Sequence, residues 1–243
     1  MTARRRRPIR VRRPRVEVRH GKHGRELRVE GTFASWYRPG SPVTGSVWDA
    51  IAAPILALPP QRRRRVLLLG VGGGSAARVV RAIEPEAHIL GVELDAEVVQ
   101  AARDHFDLDA MGLEVVIADA LAFLKDDDGR YDLILEDVFA GVGRNVHKPL
   151  WLPRPGHELA LDRLAEGGLL VSNTLDEARE VGQSMRDLFP GVLRIQVADY
   201  ENQVFVGGPG TLSGAALRAA LVADPVLSSS ARQLSFRTLQ RDR

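Results

Sequence analysis

The stretch RVLLLGVGGGSAARVV, Arg65 to Val80, runs an aliphatic strand into four glycines and out into a helical pattern, and few folds can use such a turn. Val66 to Leu69 are apolar without alternation, which reads as a strand buried on both faces. Such strands belong in a parallel sheet covered by helices on each side. Gly70, Gly72, Gly73 and Gly74 leave the backbone bare at the strand's carboxyl end, where ligands lie in open α/β sheets. Four glycines exceed what a tight turn requires, so the turn is expected to cradle a ligand. A dinucleotide fingerprint G-x-G-x-x-G started at Gly70 needs glycine at position 75, and this chain has Ser75. The turn fits a nucleoside whose polar tail crosses the strand end.

From Arg65 onward strand and helix patterns alternate. Strands read at 65–69, 88–93, 113–117, 131–136 and 168–173, and helices at 74–84, 95–106, 119–126, 157–165 and 176–189. LRIQVADY (193–200) and NQVFVGG (202–208) follow with no room for a crossover, so they pair antiparallel. Five βα units closed by an antiparallel hairpin predict a doubly wound, Rossmann-like α/β sheet of seven strands, the methyltransferase-type layout. A two-halved dinucleotide-binding domain needs a sixth strand reached by a crossover.

Ahead of this sheet, RVEVRH (15–20) and ELRVEG (26–31) alternate about a GKHG turn and predict a small N-terminal β-hairpin. Residues 32–45, rich in Gly, Pro, Ser and Thr, read as loop, and 46–58 as a helix with Ser46 as cap answered by Asp49. The expected organisation is an arm over 1–15, hairpin and linker helix over 16–60, a catalytic domain over 61–223, and a C-terminal tail over 224–243 without assigned structure.

The net charge of +3 is uneven, because residues 1–15 carry eight arginines and no acid, and removing those eight leaves −5. An arm of that composition lacks the apolar residues to pack, so it reads as disordered, with nucleic-acid contact the functional alternative. No apolar run follows the arginines, which excludes a secretory signal and predicts a cytoplasmic protein. No stretch is long enough to span a bilayer. The absence of cysteine excludes thiolate metal sites and a cysteine nucleophile. His20 and His23 lack an acid partner in sequence, so no metal is expected.

Four features fall at successive strand ends: the glycine turn, Glu93, Asp119 and Asp137. Glu93 ends the second strand 19 residues after Gly74, where a carboxylate accepts from both ribose hydroxyls. Asp95 reads as a helix cap, and Asp119 as both a cap and a contact for an adenine amino group. Their convergence indicates one adenosine-type site with an acid, Asp137, at the reacting end. Glu136 faces the opposite way, as neighbours on a strand do.

VLLLGVGGGSAARVVRAIEPEAHILGVELDAEVVQAARDHF, LEVVIADALAFLKDDDGRYDLILEDVFAG and LAEGGLLVSN together resemble the spermidine synthase family, the polyamine aminopropyltransferases, over roughly residues 25–207. The resemblance implies that the glycine turn and Glu93 bind decarboxylated S-adenosylmethionine, that Asp119 with Ala120 reads the adenine, and that Asp137 faces the amine. A homodimer is implied as well. Departures accompany the matches. The family's second aspartate, three residues after the first, is Ala140 here. Its Tyr-Gln pair is Val47 and Trp48, and EGTFAS (30–35) lacks its glutamine. The expectation is a spermidine synthase-like transferase with a rebuilt acceptor site for a small molecule, an amine among the candidates. S-adenosylmethionine-dependent methyl transfer and a non-catalytic nucleoside-binding module are the alternatives. Trp36, Tyr37 and Trp48 fit either an acceptor wall or the core, Tyr200 and Asn202 fit the rim of the site, and His147 and His157 read as surface histidines, with a proton carrier as the alternative for one of them.

Overall fold

The computed structural model describes residues 15–239, so the first 14 residues of the expected arm and the last four of the chain lie outside it. Val16–Gly21 (β1) and Gly24–Val29 (β2) form the expected hairpin. The segment read as loop begins instead with a third strand, Thr32–Tyr37 (β3), antiparallel to β2. The connection is the two-residue turn Glu30–Gly31, with φ of 49° and 81°. That is the primed turn geometry that matches strand twist, built here without the usual Asn or Asp. Phe33, Trp36 and Tyr37 supply strand propensity, and the Pro and Gly that signalled a loop lie beyond them.

The expected helix over 46–58 is shorter: Val47–Ala52 (α1) tightens into a 3-10 turn over Ala53–Ala57, where Pro54 interrupts α-helical bonding. Ser46 makes no capping bond. Asp49, fully buried, instead accepts from the backbone amides of Thr44 (2.8 Å) and Gly45 (2.9 Å), and from Ser230 Oγ at 2.6 Å. It therefore ties α1 to the far end of the chain.

The βα units follow as Arg65–Leu69 (β4), Ser75–Ile83 (α2), His88–Glu93 (β5), Ala96–Phe106 (α3), Glu114–Ile117 (β6), Ala120–Asp126 (α4) and Tyr131–Glu136 (β7). A small hairpin, Ala140–Val142 (β8) with Asn145–His147 (β9), interrupts before Gly156–Arg163 (α5) and Leu164–Thr174 (β10). Ala178–Leu188 (α6), Gly191–Val197 (β11) and Gln203–Gly208 (β12) complete the expected set, and Gly214–Ala223 (α7), a helix not expected from the sequence, follows. The central sheet is mixed α/β and mostly parallel. All seven expected strands are in it, and an eighth, Leu234–Leu239 (β13), pairs antiparallel with β11 at one edge, giving the order β13-β11-β12-β10-β7-β4-β5-β6. The segment expected as an unassigned tail is thus partly sheet. Its alternation, with Leu234 and Phe236 covered and Ser235 and Arg237 exposed, spans only four residues before Thr238 and Leu239 break it.

Apolar side chains pack both faces, with α1, α2 and α7 on one and α4, α5 and α6 on the other. The N-terminal sheet docks separately. Leu27 and Tyr37 pack on Val98 and Phe106 of α3. Ser35 Oγ accepts from the Gly73 amide (2.6 Å), and Ser75 Oγ accepts from Trp36 N (3.0 Å) while donating to Trp36 O (2.8 Å). The serine that breaks the dinucleotide fingerprint therefore anchors β3 over the glycine turn. Among the described residues no helix is long and apolar enough to cross a membrane.

Candidate active site

The carboxyl ends of β4 to β7 and β10, the N-terminal sheet and the β8–β9 hairpin enclose one cavity of about 610 Å³. Gly70, Gly72, Glu93, Asp119, Ala120 and Asp137 line it together, while Gly73 and Gly74 do not. Those two face protein. A Cβ on Gly73 would lie 2.8 Å from Ser35 Cβ, and one on Gly74, at φ 77°, 2.5 Å from Met111 Cε. Gly70 and Gly72 are packed as well, their absent Cβ atoms lying 2.6 Å from the Asp137 carbonyl oxygen and 2.8 Å from Ser35 Oγ. Packing thus requires all four glycines, contrary to the expectation that four exceed what a turn needs.

Glu93 Oε2 accepts from the amides of Val71 and Gly72, each at 3.0 Å, and its Oε1 from Asp95 N at 3.2 Å. A carboxylate has about four lone-pair sites, so with these three taken it can hold the turn in shape and still accept from one hydroxyl. Asp95 caps α3 through Glu97 N (2.9 Å) and pairs with Arg15. Asp119 is exposed and caps α4 through Ala122 N (2.9 Å), with Ala120 buried beside it. This end of the cavity presents acceptors for hydroxyl and amino groups along an edge of bare backbone, the set that a nucleoside needs.

At the other end Asp137 is held by neutral groups. Its Oδ1 accepts from Asn173 Nδ2 (2.7 Å) and its Oδ2 from Trp48 Nε1 (3.2 Å). Asn202 Nδ2 donates in turn to Asn173 Oδ1 (3.0 Å), and Phe33 packs edge-on against Trp48 at 5.1 Å. Burial among protein atoms pushes the Asp137 carboxyl up to about 6. The bond from Asn173 and the Lys148 charge pull it back, and the Glu136 charge adds to the rise. Trp48, Tyr200 and Asn202 line this end. Tyr37 instead is buried, with its hydroxyl on Asp107, and Trp36 packs against the core.

Glu136 points the other way, as alternation requires. Its Oε1 accepts from Lys148 Nζ (2.6 Å) and Val138 N (2.8 Å), and its Oε2 from Ser172 Oγ (2.6 Å), all within a nearly solvent-free pocket. Lys148 Nζ also donates to Val138 O (3.1 Å) and sits 4.1 Å from the Phe139 ring centre. Lys148 follows β9, so this pair roots the β8–β9 hairpin. The hairpin tip is fastened to the N-terminal sheet, Gly143 N donating to Glu30 O (2.9 Å) and Thr32 Oγ1 to Gly143 O (3.1 Å). The hairpin therefore roofs the cavity.

Sequence reasoning assigned no role to Asn173 or Lys148, whose partners lie 36 and 12 residues away. His157 corrects an expectation outright. It is fully buried rather than at the surface, its Nδ1 lies 3.1 Å from Ser184 Oγ, and burial beside the Lys148 charge pushes it down to about 3. His147 is exposed, as are His20 and His23 beside the β1–β2 turn.

A family model described as the spermine/spermidine synthase domain matches residues 51–193, more than half of the chain. A probable polyamine aminopropyl transferase of Bifidobacterium longum is 34% identical over 101 residues, covering 41% of this chain and only 22% of that protein's length. Among solved structures, a probable spermidine synthase from Corynebacterium glutamicum superposes with a TM-score of 0.71 at 23% identity, over 91% of this chain and 86% of its own. A spermidine synthase in complex with the transition-state analogue AdoDATO superposes with a TM-score of 0.56 at 18% identity, over 80% and 73% of the two chains.

Proposed function

This chain belongs to the spermine/spermidine synthase family, and from that premise we propose that it is a transferase moving a carbon group from a sulfonium nucleoside, decarboxylated S-adenosylmethionine, to an amine. The observation that carries the reading is Asp137, which shares one cavity with the glycine turn, Glu93 and Asp119 and is poised to titrate near 6. A bound sulfonium donor supplies an electrophilic carbon and a neutral thioether leaving group. Glu93 and Asp119 orient the nucleoside, and Gly70 and Gly72, which line the cavity, give it a strand end to lie against. Five carboxylates line the cavity, Glu30, Glu93, Asp95, Asp119 and Asp137, against one cation, Arg15, which is already paired with Asp95. That balance favours a donor without its own carboxylate.

An amine in water is mostly protonated (pKa of about 10.4 for a lysine-like amine) and does not attack. Asp137 accepts a proton from the ammonium, and the nitrogen lone pair so freed attacks the sulfonium carbon. The acceptor site departs from the pattern the family resemblance implies. Ala140 faces the cavity where a second aspartate is expected, and Trp48, in place of a glutamine, bonds directly to Asp137.

Calorimetry with methylthioadenosine tests the nucleoside half. Glu93→Ala removes hydrogen bonds to a charged acceptor and should weaken binding by roughly 2–4 kcal/mol, about 30- to 1,000-fold. Unchanged affinity in a variant that melts normally overturns the assignment.

A further inference from the structure

Resting on that transferase reading, we propose that the acceptor is a primary amine with one positive charge and an apolar body, and that diamines are rejected. The Asp137 end of the cavity offers one carboxylate to a cation. Phe33, Val47, Ala140, Val146, Leu175 and Tyr200, from separate segments of the chain, also line the cavity, and none carries a negative charge. Three of the remaining lining acids are committed: Glu93 holds the glycine turn, Asp119 caps α4, and Asp95 is paired with Arg15. Glu30 lines the cavity from the β2–β3 turn, its backbone bonded to Arg15 O and to the hairpin tip at Gly143.

The polar groups beside Asp137 are donors that already face the carboxylate, Asn173 and Trp48. Each Asp137 oxygen keeps a further lone pair for the amine. One ammonium is therefore matched and deprotonated there. Asp137 takes one proton from the ammonium, the freed nitrogen lone pair forms the new N–C bond, and the C–S electrons leave on the donor's sulfur. A second ammonium on the same molecule is left among aromatic and aliphatic side chains under the roof, where an unpaired charge is strongly disfavoured. An alkyl or aryl body buries its surface on the same walls.

The test uses the full chain saturated with methylthioadenosine. n-Pentylamine, 2-phenylethylamine and 1,4-diaminobutane are titrated in by calorimetry, and each is then assayed for turnover with decarboxylated S-adenosylmethionine. The monoamines should bind and react with kcat/KM at least about tenfold above the diamine, reflecting one unmatched charge. Ala140→Asp should narrow or invert that ratio while leaving methylthioadenosine affinity unchanged. A diamine preferred by the unmutated chain overturns the inference, and loss of that preference in Glu30→Gln would show where the second charge is held. Failure of every monoamine to bind once methylthioadenosine is bound also overturns it. Failure of methylthioadenosine itself to bind is a different result, and it removes the nucleoside reading together with this one.

Discussion

Glu136 and Asp137 are adjacent in the chain, and the two sides of the sheet onto which they open treat the same chemical group in opposite ways. On one side Glu136 meets a lysine at 2.6 Å with solvent excluded from both. On the other, Asp137 meets an indole and an amide and is pushed up to about 6. Both carboxyls lose hydration. What separates them is the charge of the replacement. A full positive charge commits Glu136 to anchoring the roof, whereas neutral donors leave Asp137 close to its own titration point at physiological pH. The difference teaches that partner charge divides structural from reactive acids here, more than depth does.

The largest expected effect is on the reactive side. Asp137→Asn keeps the shape and removes the proton acceptor, so turnover should fall about 10²- to 10⁴-fold in an assay of the thioether product. Stability should move the other way. The folded carboxyl holds its proton up to about 6, against 3.8 ordinarily, so the native state binds the proton more tightly than the unfolded chain. Its contribution to stability therefore declines as pH rises from about 4 to about 6 and stays at its lowest above that. An asparagine side chain does not titrate and has no such dependence. The variant should be more stable than the parent at pH 8 by about 1–3 kcal/mol, with the gain gone at about pH 4. A variant less stable at both pH values would break the contrast between the two sides.

Lys148→Met tests the committed side. It leaves Glu136 charged, buried and unmatched, a loss of about 3–5 kcal/mol in denaturant unfolding. Pairing it with Glu136→Gln should return most of that loss, because the double variant buries no charge. If the single variant unfolds like the parent, the pair does not anchor the β8–β9 hairpin.

The same division explains what was legible in the sequence. The nucleoside end is built from strand ends and the turns that follow them, so Gly70, Glu93, Asp119 and Asp137 converge once the βα alternation is recognised. Gly73 and Gly74 sit in that signature for a different reason, since they make room for Ser35 and Met111. The acceptor end is assembled across the chain: Trp48 reaches Asp137 from 89 residues earlier and Asn173 from 36 later. No local pattern encodes such contacts. β3 was hidden because Glu30–Gly31 is an unusual composition for a primed turn. β13 was hidden because its alternation lasts only from Leu234 to Arg237 before Thr238 and Leu239 break it. His157 read as a surface residue because sequence alone does not show that Ser184 and the core close over it.

The finest test of the contrast lies in the pH dependence of turnover. If Asp137 must be ionised to accept the proton, the rate rises with pH through about 6 and levels off above it. The bond from Asn173 favours the ionised form and is the strongest force holding the carboxyl down against its burial. Asn173→Ala removes that bond and leaves burial in place, so the rising limb should move toward higher pH, by about one unit. Asn202→Ala acts only by freeing the Asn173 amide to rotate, through the 3.0 Å bond between them, and should move the limb in the same direction by less. Lys148→Met should also raise it, since the lysine charge helps to hold Asp137 down. A merely structural role for Asn173 would lower the plateau and leave the midpoint where it was. A midpoint that stays near 6 in Asn173→Ala would mean that the amide is packing beside Asp137 without governing its charge. The neutral-donor side of the comparison would then rest on Trp48 alone.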